Sequence, residues 1–181
     1  MFASVGENVW VNRSAVFYEP QHIHLGSNVR IDCFCVLSAS APGIRIGDHV
    51  HISAYAALFG ASGKIEVGSF CALSSRVTVY TASDDYSEGF LSNPTVAEEY
   101  RKVATGNVHI GKHGLIGCGS VILPGITIGL GASVGALSLV NTNVPEFAIV
   151  AGIPIRTIGQ RNRRILELEA KLLASESEPG T

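Results

Sequence analysis

The chain has 181 residues, 46% hydrophobic and only 15% charged, with 20 glycines and a formal charge of −2. That length fits one ordinary domain with a real core, and the charge balance offers no basic surface for nucleic acid. No apolar run reaches the roughly 20 residues of a membrane helix, and Met1-Phe2-Ala3-Ser4 opens no signal peptide, so a cytoplasmic protein without membrane insertion is expected.

From the amino terminus an aliphatic residue recurs every sixth position. Val5-Gly6-Glu7-Asn8-Val9-Trp10 and Val11-Asn12-Arg13-Ser14-Ala15-Val16 open the series. It returns at Leu25, Ile31 and Leu37, at Ile46, Ile52 and Leu58, and at Val67, Leu73 and Val79. A helix repeats near 3.6 and a strand at 2, so a period of six fits neither alone. It fits short strands joined by corners and wound into a three-faced prism, a parallel β-helix. The hexad opener fills the axis, a small residue sits beside it at the fifth place, and Gly at the second place relieves the bend. The openers 25, 46 and 67 lie 21 apart rather than 18, so these coils carry three-residue excursions, at Ala41-Pro42-Gly43 and Ala61-Ser62-Gly63. Cys35 and Cys71 fall at the fifth place and Cys33 and Cys118 at the third, with no C-x-x-C. They are expected to be structural, and no metal site is expected.

Between Val79 and Val108 the period lapses, and residues 81–107 form one long excursion. Ser83-Asp84-Asp85-Tyr86, Phe90, Asn93-Pro94 and Tyr100 give it an aromatic and acidic composition unlike a linker, so an ordered functional arm is expected. Six unbroken hexads run from Ile110 to Pro145. Beyond them, Ile165, Leu168 and Leu172 in the charged segment from Gln160 to Ser175 predict a short amphipathic helix that caps the open end of the coil. The tail from Glu176 to Thr181 is expected to fray. The division is therefore a β-helix domain over 1–158 and a helix and tail over 159–181.

The register also stacks side chains. His24, Arg45, Glu66 and His109 precede hexad openers, while Asn28, His49, Phe70 and His113 occupy the fourth place. Both columns are expected to face outward. His49 and His113 form the better pair if a histidine is catalytic.

Ile122-Leu123-Pro124-Gly125-Ile126-Thr127-Ile128-Gly129, Val134-Gly135-Ala136 and Ile149-Val150-Ala151-Gly152-Ile153-Pro154 together resemble the hexapeptide-repeat acetyltransferases. Within them the chain is most like the sugar acetyltransferases of bacterial surface-polysaccharide pathways, such as lipopolysaccharide O-antigen synthesis. The resemblance implies a left-handed coil, a homotrimer, and acetyl-CoA lying in a groove between neighbouring prisms. It implies donor contacts at Gly117, Gly135 and Ala136, with Arg156 and Arg161 toward the phosphates. The alternative for Arg161, Arg163 and Arg164 is solvation of the terminal helix. The implied reaction is direct attack by a hydroxyl or amino group of a sugar or nucleotide-linked sugar, through a tetrahedral intermediate stabilised by a backbone N–H.

Such transfer needs a group that takes the proton of the attacking atom. Many family members carry a histidine in or beside the long loop, but no histidine lies between Ala54 and Val108 here. Asp84 and Asp85 are the candidate replacements, beside His49 and His113. Turn capping is the plainer role for adjacent acids in a loop. Ser83, Tyr86 and Asn93 are candidate acceptor contacts.

Two alternatives come from other classes. Asn8-Val9-Trp10-Val11 and Ile46-Gly47-Asp48-His49-Val50-His51 resemble gamma-class carbonic anhydrases, but aligning the hexads puts Ser38, Ala54 and Phe59 at the three zinc-histidine positions. The other alternative is a non-catalytic scaffold that has lost its base.

Overall fold

A computed structural model describes residues 1–177 of the chain. Short parallel strands stack into three flat faces. The first face carries Ser4–Val5, Ile23–Leu25, Ile44–Ile46, Ile65–Val67, Val108–Ile110 and Thr127–Ile128. The second starts at Trp10–Val11 and the third at Val16–Tyr18, each repeating once per coil. The register is that of the hexads. Leu25 pairs with Ile46, Ile46 with Val67, Val67 with Ile110 and Ile110 with Ile128. These openers, with Ile31, Ile52, Leu73, Ile116, Leu37, Leu58, Val79 and Ile122 from the other faces, are buried on the axis. Each such side chain contributes about 1.5–3 kcal/mol of burial, which makes the aliphatic column the main stabilising element. Cys35 and Cys71 are buried in the fifth-place column as expected.

The bend is made differently from the expectation. Its left-handed residue sits at the fourth place and is seldom glycine. At the first corner Asn8, Asn28, His49, Phe70 and His113 have φ of 53, 56, 54, 61 and 62°. At the second corner Phe34, Tyr55, Arg76 and Leu137 have φ of 58, 65, 60 and 54°. Non-glycine residues seldom adopt this region, so the coil must hold them there. One of the bonds that does so runs from His113 N–H to Ser69 O at 3.0 Å. The second-place glycines serve close approach instead. A Cβ on Gly117 would stand 2.4 Å from Ala136 N, and one on Gly68 would stand 2.6 Å from Lys112 N.

The three-residue excursions and the long arm all leave the prism at the third corner. The arm is more ordered than a simple loop. Ala82–Asp84 pairs antiparallel with Val103–Thr105, and a 3-10 turn spans Glu98–Tyr100. Buried Thr81 anchors the departure by donating its hydroxyl to Phe59 O at 3.1 Å, and Gly106 N–H returns to Thr81 O at 3.0 Å.

The carboxy-terminal helix α1 spans Arg164–Ser177 and does not cap the coil. It lies along the first corner, where Glu169 reaches His113 and Glu176 reaches His49. Two coils separate His49 from His113, so α1 runs back toward the amino-terminal end. The last strand of the second face is Arg156–Gln160, folded antiparallel onto Ala148–Ala151 and crossing the expected division at 158. Phe147 is buried beside it, with the Arg163 guanidinium 4.3 Å from its ring centroid. Glu176 therefore belongs to the helix, while the expectation for residues 178–181 lies outside the described residues.

Candidate active site

Where the arm joins the prism, a cavity of about 350 Å³ opens between Tyr80, Ala82, Ser83, Asp84, Tyr86, Val121 and Leu123. Its floor follows from strand alternation. Tyr80, Val121 and Leu123 flank the buried openers Val79 and Ile122, so their side chains point off the third face. Tyr80 is fixed by stacking on Phe59 at 5.3 Å. The arm supplies the wall. Asp84 Oδ2 accepts the Asn93 N–H at 3.2 Å, and the Ser83 hydroxyl donates to Asp84 O at 3.3 Å. Asn93 is itself held left-handed at φ 77°, its side-chain oxygen accepting the Thr95 N–H at 3.0 Å.

Asp85 has other partners. Its carboxylate accepts the N–H groups of Ser87 at 3.2 Å and Glu88 at 2.7 Å, closing the turn at the arm's first bend. Burial acts to raise its pKa, but these backbone bonds outweigh it and hold the carboxyl below its ordinary value. Adjacent residues in a ribbon point to opposite sides, which separates Asp84 from Asp85.

A second cleft, of about 240 Å³, is lined by Gly119, Val121, Leu137, Ser138, Leu139 and Ile153. It meets the first at Val121 and follows the second corner, where Gly117, Gly135 and Ala136 precede its lining residues. Ser120 and Ser138 tie these coils together beneath it, donating to Gly135 O at 2.9 and 2.7 Å. Arg156 is exposed at this end. Arg161 is occupied elsewhere, with Nη1 donating to His113 O at 2.6 Å and Gly131 O at 3.3 Å.

The fourth-place histidines lie at the opposite edge, under α1. His113 is 7% exposed, with Nε2 2.8 Å from Glu169 Oε2, and Glu169 also pairs with Lys112. Phe70 stacks between His113 at 5.2 Å and His49 at 4.6 Å. Burial works to raise the Glu169 pKa, but the Lys112 and His113 contacts prevail and hold it below the usual value. The first-corner column thus faces the helix rather than solvent. Within one chain the structure gathers Ser83, Asp84, Tyr86 and Asn93, and places His49 and His113 apart from them. Tyr80 and Glu169 escaped the sequence reading. Glu169 had a signal, an acid one turn after Ile165 on the apolar stripe of the helix.

A three-faced coil with one arm over a cleft is the architecture of the hexapeptide-repeat acyltransferases, and the chain belongs to that family. It is an acyltransferase built on a left-handed β-helix, which displaces the scaffold alternative. The chain is 44% identical over 169 residues to the dTDP-4-amino-4,6-dideoxy-D-glucose acyltransferase of Escherichia coli, spanning 93% of this chain and 88% of that one. It matches AntD, an N-acyltransferase from Bacillus cereus solved with dTDP and 3-hydroxybutyryl-CoA, at 44% identity and a TM-score of 0.94. That match covers 98% of this chain and 93% of AntD. The putative O-acetyl transferase WbbJ of Escherichia coli, assigned to lipopolysaccharide biosynthesis, is 35% identical over 72 residues, or 40% of this chain and 37% of WbbJ. No family model matches the chain. At the positions aligned with zinc ligands, Phe59 is engaged with Tyr80. Among the described residues no group of three or more His, Cys, Asp or Glu is placed to hold a metal.

Proposed function

We propose that the chain transfers an acyl group from a coenzyme A thioester, acetyl-CoA in the simplest case, to the amino group of a nucleotide-linked amino sugar. The observation that carries this is the pair of clefts meeting at Val121. One is lined mainly by apolar side chains at the second corner, and the other is walled by Asp84 and Ser83. The amine attacks the thioester carbonyl and the tetrahedral adduct collapses to the amide, expelling the coenzyme A thiolate. The thiolate takes up the proton shed by the nitrogen, by way of Asp84. Asp84 accepts the proton that the nitrogen sheds, while Ser83, Tyr86 and Asn93 hold the sugar. The cleft wall must also present a donor where the oxyanion develops. Backbone groups near Gly117, Gly135 and Ala136 meet the donor along the corner, and exposed Arg156 meets its phosphates.

We further propose that the working molecule is a cytoplasmic homotrimer serving surface-polysaccharide synthesis. Val16, Tyr18, Phe34, Tyr55, Tyr80 and Leu137 are exposed apolar and aromatic side chains on the third face and second corner, the kind of surface that partner subunits cover. No helix among the described residues is long and apolar enough to cross a membrane.

Thiol release and product mass test the reaction, using acetyl-CoA with dTDP-4-amino-4,6-dideoxyglucose, its 4-hydroxy counterpart, and the free amino sugar. N-acylated product from the first alone is the expected result. Absence of transfer to any nucleotide-linked amino sugar overturns it.

A further inference from the structure

The arm holds one cation whose chemistry the fold leaves unmet. Among the described residues, Arg101 Nε is the one buried side-chain nitrogen or oxygen without a hydrogen-bond partner. That nitrogen has no exposed surface for a ligand to reach, whereas the residue as a whole is partly exposed, so a phosphate is met by the terminal guanidinium nitrogens. The neighbouring Lys102 is already engaged, pairing with Glu88 and lying 5.9 Å from the Phe90 ring centroid. Arg101 has no such carboxylate among the described residues.

Arg101 does not line the cleft itself but lies on the arm that walls it. Val103 faces Asp84 across the ribbon, and Arg101 lies two residues along the same chain direction. Its backbone is extended at φ −115° and ψ 151° and bridges to Leu91. Strand rise puts that offset at about 7 Å, and alternation puts Arg101 on the Asp84 side of the ribbon while Lys102 faces the Asp85 side. A guanidinium presents a planar fork of donors that matches a phosphate.

We propose that Arg101 binds the diphosphate of the nucleotide-linked acceptor, so that one arm carries both the proton acceptor and the cation that sets the sugar's distance from it. This rests on the acceptor class proposed above. Both substrates carry phosphates, but their spacing differs. In the acceptor the diphosphate is one pyranose ring from the reacting amine. In the donor a whole pantetheine arm separates it from the thioester. A cation two residues from the position facing Asp84 suits the acceptor.

Full-length R101A and R101K test this through the KM for each substrate, dTDP binding by calorimetry, and sedimentation. R101A should raise KM for the nucleotide amino sugar and weaken dTDP binding by about ten-fold or more, leaving KM for acetyl-CoA within about two-fold. R101K should recover part of the loss, since it restores the charge but not the fork. A rise confined to the acetyl-CoA KM would assign the phosphate to the donor and overturn the proposal. Unchanged constants would overturn it too, as would a change of assembly state, which would mark Arg101 as a subunit contact. Because dTDP binding needs no turnover, wild-type protein that binds dTDP yet transfers nothing defeats the reaction while leaving this assignment standing. Wild-type protein that binds no dTDP defeats this assignment.

Discussion

Two carboxylates at adjacent positions of an extended ribbon cannot share a task, because the pleat sends them to opposite sides. Asp84 borders the cleft and Asp85 closes a turn. Replacing Asp84 by Asn should lower kcat by about 10²–10⁴-fold, the usual contribution of a positioned proton acceptor. Asp85→Asn should keep near-normal turnover, since an asparagine oxygen accepts the same turn N–H groups. Steady-state thiol release checks both. The sequence could nominate this pair but could not divide it, because the division depends on pairing with Val103–Thr105 some twenty residues away. His113 poses the same problem in reverse. Its fourth-place register was readable, but its cover was not, since an outward position becomes buried only when another element lands on it. His113→Ala should cost about 2–3 kcal/mol in urea unfolding through the lost bond to Glu169 while leaving kcat close to normal. Glu169 titrates below its ordinary value of 4.5 in the folded chain. Its contribution is therefore fully present above that value and is lost as pH falls through the lower, folded one. Far-UV circular dichroism in moderate urea should show α1 weakening over that acidic range, and Glu169→Gln should remove the step.

Hexads specify an element because every place has a separate physical duty, and the duties of the first and fifth places were plain from side-chain type. The second-place glycine was visible too, but its duty is contact between coils rather than bending. Gly117→Ala tests the distinction. Forcing a Cβ to within 2.4 Å of Ala136 N should lower stability by about 1–3 kcal/mol, read by thermal or urea unfolding. The bend does not explain such a loss, because the left-handed residue of this corner is Gly119 at φ 70° and Gly117 is not left-handed. The helix was legible as a helix but not as a strap. An apolar stripe of Ile165, Leu168 and Leu172 predicts a covered face without naming its cover, and beside Phe70 and His113 Leu168 and Leu172 remain 50% and 42% exposed. Only the placement of Glu169 on that stripe hinted at a basic partner.

At the scale of the whole molecule, the third face and second corner carry several of the exposed apolar side chains. Tyr18 is 58% and Leu137 70% exposed on the isolated chain, a poor arrangement for a monomer. The proposed homotrimer predicts that a Tyr18→Asp, Tyr55→Asp double variant falls from three chains to one by light scattering. The arm and face were both readable in the sequence. Their meeting in a cleft was not, because a lapse in period reports where the chain leaves the coil and not where it returns to touch it. Hydrogen–deuterium exchange with coenzyme A and dTDP bound tests the location of the chemistry most directly. New protection is expected over 80–86 and 117–139, at the two joined clefts. Protection confined to 24–28, 45–49 and 66–70, on the first face and its helix-covered corner, would contradict this expectation.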